Sequence, residues 1–256
     1  MKTAVREAGD IARRYFNASV KSWEKKPGDP VSEADLAIDT HLKERLMAAH
    51  PDYGWLSEET KDDLARLQRS RVWIVDPIDG TRTFIAKKPE FTICAALVED
   101  GTPVAGIVYN PILEEFYEAS FGSGARLNGK IITCSNKSDL AKAQLLASRK
   151  AFEWHDWLGE VPGATFAHVN SIAYRIVKVA SRHVDASLSL TAKSDWDIAA
   201  ADIILNEAGG CTTTARGEPL VYNRKSVNHK NVISSGEKMH PALMHLLVDF
   251  EDPKSR

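Results

Sequence analysis

Paired cysteines are missing from this chain. Cys94, Cys134 and Cys211 stand far apart and form no C-x-x-C unit, which argues against a zinc or redox motif and points to free thiols in a reducing compartment. The histidines show no HExxH or HxxxH spacing, and His240 and His245 are expected at the surface or the ends of a C-terminal helix. No apolar run approaches the roughly 18–20 residues that span a bilayer. The start, Met1 to Ala8, is amphipathic and lacks an apolar signal core, so a cytoplasmic location is expected. Charge of one sign is missing too: the net charge is −2, which excludes a general attraction for nucleic acid or an anionic membrane, although a local basic patch stays open. There is no internal repeat and no low-complexity linker. What is present suits a globular enzyme-sized chain: of 256 residues, 43% are hydrophobic and 27% charged, enough for a sizeable core. One domain over 1–256 is expected, with two sheet-bearing halves of about 1–136 and 137–256.

Ala4, Val5, Ala8, Ile11, Ala12, Tyr15 and Phe16 recur at helical spacing and predict an opening helix. Lys25 to Pro30 reads as a loop by its proline and glycine content. Ser32 with Asp35 three residues later predicts a capping box and a second helix to about Ala49, burying Leu36, Leu42 and Leu46. From Phe91 the period changes to two, and Phe91–Val98, Val104–Tyr109 and Glu115–Ala119 read as strands of a mostly antiparallel meander. Asp100-Gly101 and Asn128-Gly129 are hairpin-turn pairs. Beyond Lys137, strands are expected at Ala143–Ala147, Val184–Leu190 and Val232–Ser234. Helices are expected at Ser171–Ser181, Trp196–Ala208 and after Pro241. This irregular alternation favours layers of helix and sheet over a doubly wound parallel sheet.

The chemistry concentrates in Val72-Trp73-Ile74-Val75-Asp76-Pro77-Ile78-Asp79-Gly80-Thr81. A short buried strand is expected over Val72–Asp79 and carries two carboxylates; Pro77, which cannot donate to a ladder, supports an end at Asp76, where a turn would let both acids face one cleft. Acids at a sheet edge are costly to bury without a partner, and a divalent cation is the cheapest partner for several of them. Gly80 and Thr81 add a close-approaching backbone and a hydroxyl, which suit a phosphate. Glu58 lies upstream, where a loop is expected. Asp197 lies downstream, beside the start of an alanine-rich helix. Carboxylate oxygens without histidine or cysteine select hard cations such as Mg²⁺ or Mn²⁺.

Asp76-Pro77-Ile78-Asp79-Gly80-Thr81 with Phe84, Glu58-Glu59 upstream and Trp196-Asp197-Ile198-Ala199-Ala200 downstream resembles the inositol monophosphatase superfamily. That resemblance spans nearly the whole chain, ending in Glu207-Ala208-Gly209-Gly210. It implies a mixed α/β fold, a layered α-β-α-β-α sandwich of the inositol monophosphatase and fructose-1,6-bisphosphatase type. It implies a Mg²⁺-dependent, lithium-sensitive phosphomonoesterase using two or three ions, with Mn²⁺ as a substitute. Its partner is a small phosphorylated metabolite, and a homodimer is expected. Carried over by motif, Glu58, Asp76 and the Ile78 carbonyl resemble the first metal site; Asp76, Asp79 and Asp197 resemble the second. Gly80 and Thr81 resemble the phosphate turn. Thr81 and Asp35 resemble the pair that deprotonates the attacking water, and Glu58 joins them as a catalytic residue.

Inositol-specific members carry a Gly-Ser/Thr-Ala-Ala run where this chain has Asn170-Ser171-Ile172-Ala173, and a Glu where it has Leu190. Ser171, Tyr174, Arg175 and Lys193 offer a bulkier, more basic pocket, suited to a second phosphate or an adenine ring. A 3′(2′),5′-bisphosphate nucleotide is therefore the leading substrate, with inositol 1-phosphate as the alternative and a non-catalytic regulatory role beside either. A haloacid-dehalogenase-type phosphatase also ends a strand in acids before Gly-Thr. It places one residue between them, whereas Pro77 and Ile78 both intervene here.

Overall fold

Two helices open the chain where the apolar spacing places them. The computed structural model describes residues 1–250, with α1 over Lys2–Phe16 and α2 over Glu33–Ala49. The capping box is formed: Ser32 Oγ accepts from the Ala34 N–H (3.2 Å) and Asp35 Oδ2 accepts from the Ser32 N–H (2.9 Å). Ala34, Ile38, Leu42 and Leu46 repeat every four residues and are buried. Leu36 is not; it points off that face and stays 41% exposed, against the sequence expectation. The expected loop at Lys25–Pro30 is instead a hairpin, with β1 (Ser22–Lys26) antiparallel to β2 (Asp29–Ser32). Every residue of β1 is exposed, so the alternation that betrays a half-buried strand is absent.

The large sheet holds β3 (Gly54–Ser57), β4 (Arg71–Asp79), β5 (Thr92–Glu99), β6 (Thr102–Asn110), β7 (Glu115–Ser120), β8 (Ala125–Leu127) and β9 (Lys130–Ile132) in chain order. Only β3 and β4 run parallel; the rest is the expected antiparallel meander. Asp100-Gly101 and Asn128-Gly129 turn two of its hairpins with positive φ at both residues, 47° and 84°, then 49° and 80°. The smaller sheet contains β10 (Gln144–Leu146), β11 (Thr165–Ala167), β12 (Ala186–Ser189), β14 (Gly210–Thr213) and β16 (Val232–Gly236), in the order β11-β10-β12-β16-β14. The short β13 (Lys193–Ser194) and β15 (Asn228–His229) pair separately. The remaining helices are α3 (Thr81–Ile85), α4 (Arg149–Trp154), α5 (Ile172–Ala180), α6 (Asp195–Glu207) and α7 (His240–Leu246).

Three apolar clusters define the layers. Helices α1 and α2 cover one face of the large sheet around Trp73, Val75 and Phe91. Helices α5 and α6 lie against its other face, around Val72, Ile74, Cys94 and Ile198, and stand between the two sheets. Helices α4 and α7 cover the small sheet's outer face with Phe152, Leu243 and Leu246 against Leu145 and Ile233. The order is the α-β-α-β-α sandwich. His240 does begin α7, but it is buried rather than exposed. Its ring nitrogens meet Thr213 Oγ1 at 2.8 Å and Ser235 Oγ at 2.9 Å.

Helix α6 is alanine-rich because the sheet comes very close to it. A Cβ on Gly106 of β6 would lie 2.4 Å from the Ala200 carbonyl oxygen and 2.5 Å from Ile203 Cγ2. Gly106→Ala should therefore cost about 1–3 kcal/mol of stability, read as a lower urea midpoint with an unchanged slope. An unchanged midpoint would show that α6 is not held against β6 as described.

Candidate active site

Strand β4 does not stop at Asp76. It runs on to Asp79, and its register against β5 moves from Asp76↔Cys94 to Asp79↔Thr92, three residues facing two. That is one extra residue, a bulge, placed where Pro77 could donate nothing to the ladder. The bulge changes which face the side chains take. Trp73 and Val75 point toward α1 and α2, and so does Ile78 after the bulge. Val72 and Ile74 point the other way. Asp76 and Asp79, three apart and destined for opposite faces of a regular strand, thus share the α5–α6 face.

There they meet Asp197. One oxygen from each of Asp76, Asp79 and Asp197 lies within 4.8 Å of the others. Asp76 Oδ1 accepts from the Ile78 N–H (3.0 Å). Asp79 Oδ2 accepts from Ser171 Oγ (2.6 Å) and the Ala173 N–H (2.7 Å), at the start of α5. Asp197 lies inside the first turn of α6 rather than before it, and its Oδ2 accepts from the Ser194 N–H (2.6 Å). Burial raises all three carboxyls, and repulsion from neighbouring carboxylates adds to it at Asp76 and Asp197: Asp76 lies well above the usual range, Asp79 is raised to about 6 and Asp197 to about 7. Three crowded, oxygen-only acids fit a hard divalent cation, which would supply the charge they lack.

Asp35 and Thr81 approach from the other side. Thr81 Oγ1 lies 3.0 Å from both Asp35 Oδ1 and the Ile78 carbonyl oxygen. Asp35 is 1% exposed, and burial pushes its carboxyl up to about 6. Gly80, with φ of 100°, caps α3 where a side chain would be strained. A cleft of about 280 Å³ is lined by Glu58, Asp76, Ile78, Asp79, Gly80, Thr81, Lys193 and Asp197. Glu58 Oε1 accepts from Lys25 Nζ of the β1–β2 hairpin (2.9 Å), and the same ammonium reaches Glu59 at 2.8 Å. Burial pushes the Glu59 carboxyl up to about 7.

The other proposed substrate contacts spread out. Ser171 sits behind Asp79 and caps α5, accepting from the Tyr174 N–H at 3.0 Å. The Tyr174 hydroxyl donates to Glu115 (2.8 Å), away from the cleft lining. Arg175 lines a separate cavity of about 450 Å³, with Leu190, His168 and Lys230. It is 7% exposed, its Nε has no hydrogen-bond partner among the described residues, and burial lowers the pKa of its guanidinium against the opposing charge of Asp79. Lys25 carries no signal in the sequence, because Lys25 to Pro30 reads as a loop. Asp39 does carry a signal: it lies one helical turn after Asp35.

Comparison with known proteins agrees with this architecture. The family model for "Inositol monophosphatase family" matches residues 1–250. "Inositol monophosphatase 2" of Solanum lycopersicum is 31% identical over 244 residues, covering 89% of this chain and 91% of that protein. "3′(2′),5′-bisphosphate nucleotidase CysQ" of Aggregatibacter actinomycetemcomitans is 31% identical over 230 residues, covering 86% and 84%. The crystal structure of extragenic suppressor protein suhB from Bartonella henselae superposes with a TM-score of 0.85 at 27% identity, covering 98% of each chain. A match that runs from the first helix through both sheets to α7 places this chain in the inositol monophosphatase family.

Proposed function

We propose that this chain is a Mg²⁺-dependent phosphomonoesterase that releases inorganic phosphate by attack of a water, with a 3′(2′),5′-bisphosphate nucleotide as leading substrate. Members of its family are phosphatases acting on phosphomonoesters. The observation that carries the reading is the meeting of Asp76, Asp79 and Asp197 in one cleft with the Thr81–Asp35 pair. Glu58, Asp76 and the Ile78 carbonyl would hold a first ion, and Asp76, Asp79 and Asp197 would hold a second. A bound Mg²⁺ supplies charge neutralisation and makes a nearby water more acidic. Thr81 orients that water through its hydroxyl and passes a proton to Asp35, whose raised affinity suits an acceptor near neutral pH. Gly80 and Thr81 bring backbone and hydroxyl against the phosphate, and Lys193 adds positive charge to the cleft wall. Both halves of the chain supply ligands, so they act as one catalytic unit. A cytoplasmic homodimer belongs to the same reading.

The Arg175 cavity supports the nucleotide. Its walls include Phe152, Leu188 and Leu190, apolar surface for a ring, and its one deeply buried cation is unsatisfied among the described residues. The relative named as a bisphosphate nucleotidase supports it too. Inositol 1-phosphate remains the second reading, favoured by an equally identical relative named as an inositol monophosphatase. The deciding measurement is kcat/KM for 3′-phosphoadenosine 5′-phosphate, inositol 1-phosphate and fructose 1,6-bisphosphate under Mg²⁺. A thousandfold preference for the first, about 4 kcal/mol of transition-state discrimination, is expected. Arg175→Met should cut kcat/KM for the bisphosphate about 100-fold while leaving a monophosphate ester nearly unaffected. An equal loss on both would remove Arg175 from substrate recognition.

A further inference from the structure

Asp39 has no place in the chemistry above, yet it is a buried carboxylate, 7% exposed, one turn beyond Asp35 on α2. Both of its oxygens are engaged at the same short segment. Ser57 Oγ donates to Oδ1, and Thr60 Oγ1 donates to Oδ2 at 2.7 Å. Ser57 Oγ also accepts from the Glu59 N–H (3.4 Å), and Thr60 Oγ1 accepts from Trp55 Nε1 (3.2 Å). Asp39 therefore grips both ends of Ser57–Thr60, whose two middle residues are Glu58 and Glu59. The segment has left the sheet: β3 ends at Ser57, and the Glu58 N–H reaches the Val75 carbonyl only at 3.4 Å. The Glu58 carboxylate itself meets the Lys25 ammonium at 2.9 Å, from an exposed hairpin.

We propose that Asp39 is a positioning residue that holds the Glu58 carboxylate where the first cation binds. This rests on Glu58 being a cation ligand, as argued above. Helix α2 then serves the site twice from one face: Asp35 orders Thr81, and Asp39 orders the acidic segment. Groups that orient a ligand from behind set metal affinity, and their loss typically weakens it about 10–100-fold.

The test is Mn²⁺ binding to the EDTA-stripped full chain, followed by electron paramagnetic resonance, with the apparent Mg²⁺ activation constant measured beside it. The Ser57→Ala/Thr60→Val pair removes the grip and keeps the Asp39 charge. It should weaken Mn²⁺ about tenfold and raise the Mg²⁺ activation constant similarly, with kcat at saturating Mg²⁺ within about twofold. Asp39→Asn removes the charge but still allows both hydroxyls to bond, and it should weaken Mn²⁺ less. The reverse order would mean that Asp39 acts by charge alone and would overturn the proposal. If the pair does not fold, Thr60→Val alone must still weaken Mn²⁺ about threefold, and an unchanged affinity overturns the proposal. Glu58→Gln separates the ligand from its support. Weakened Mn²⁺ in Glu58→Gln with none in the Ser57/Thr60 variants sinks only the role of Asp39. Unchanged Mn²⁺ in Glu58→Gln removes Glu58 as a ligand, and Asp39's role with it.

Discussion

Asp76→Asn or Asp197→Asn should lower phosphate release about a thousandfold and, in EDTA, make the protein more stable rather than less. Both effects have one origin. The folded chain holds three carboxylates whose oxygens crowd within 4.8 Å, with Asp76 and Asp79 buried. That arrangement costs free energy until a cation neutralises it. Asparagine keeps the acceptor used by the Ile78 or Ser194 N–H and removes one charge. The pH dependence follows with its sign. Burial holds Asp79 at about 6, and burial with repulsion from Asp79 holds Asp197 at about 7, above the ordinary carboxylate value. The folded state thus binds protons more tightly than the unfolded one. Cation-free stability is greatest below the unfolded value of about 4 and is lost as pH rises through about 6–7. Either variant should flatten that decline, and in the wild type Mg²⁺ should reverse it. Thermal melts between pH 4 and 8, with EDTA and with Mg²⁺, measure all of this. Full activity in both variants, or an unchanged slope, would dissolve the metal site.

Removing the proton acceptor should separate chemistry from metal binding. Thr81→Ala and Asp35→Asn should each lower kcat about 10²–10⁴-fold while Mn²⁺ affinity stays within severalfold. Asp35 divides its oxygens between two tasks, Oδ2 capping α2 through Ser32 and Oδ1 meeting Thr81. Asparagine can still accept at the cap, so Asp35→Asn should fold. Thr81→Ala leaves the cap untouched, and Thr81→Ser should restore most of the rate, because serine keeps the hydroxyl and loses only a methyl group. A Thr81→Ala enzyme with wild-type kcat would show that the hydroxyl–carboxylate pair is architectural. A loss of cation binding equal to the loss of rate would move both residues into the metal site.

Much of the architecture was legible because it is written locally. The 3.6-residue spacing from Ala4 to Phe16 became α1, Ser32 and Asp35 became a formed capping box, and Asp100-Gly101 became a hairpin with positive φ at both positions. Failures occurred where local signals are weak or overruled. Three-residue strands such as β8, β9 and β11 are too short to show alternation, and they exist because a neighbouring strand offers a ladder. The exposed β1–β2 hairpin shows no buried face. Pro77 favours a strand end, but β5 continues alongside and the chain keeps its pairing by bulging. Ser171, Tyr174 and Arg175 share the stretch that matches the family's sugar-facing helix, but a shared stretch does not give them a shared direction. A helix sends neighbours in different directions, so Tyr174 reaches Glu115 while Arg175 lines the cavity.

The amino-acid order alone determined which atoms are available: carboxylate oxygens in Asp76-Pro77-Ile78-Asp79, a hydroxyl and open backbone in Gly80-Thr81, and no histidine or cysteine cluster to compete. It also determined the helix caps and turns, since those depend on φ, ψ and partners a few residues away. Only the tertiary structure decided that Asp76 and Asp79 face the same side, because that depends on a register shift against a second strand. It alone brought Asp197 to them, seated Asp39 behind Glu58 and opened the cavity beside Arg175. Convergence of distant segments is set by how sheets and helices pack, and no stretch of neighbouring residues contains that information.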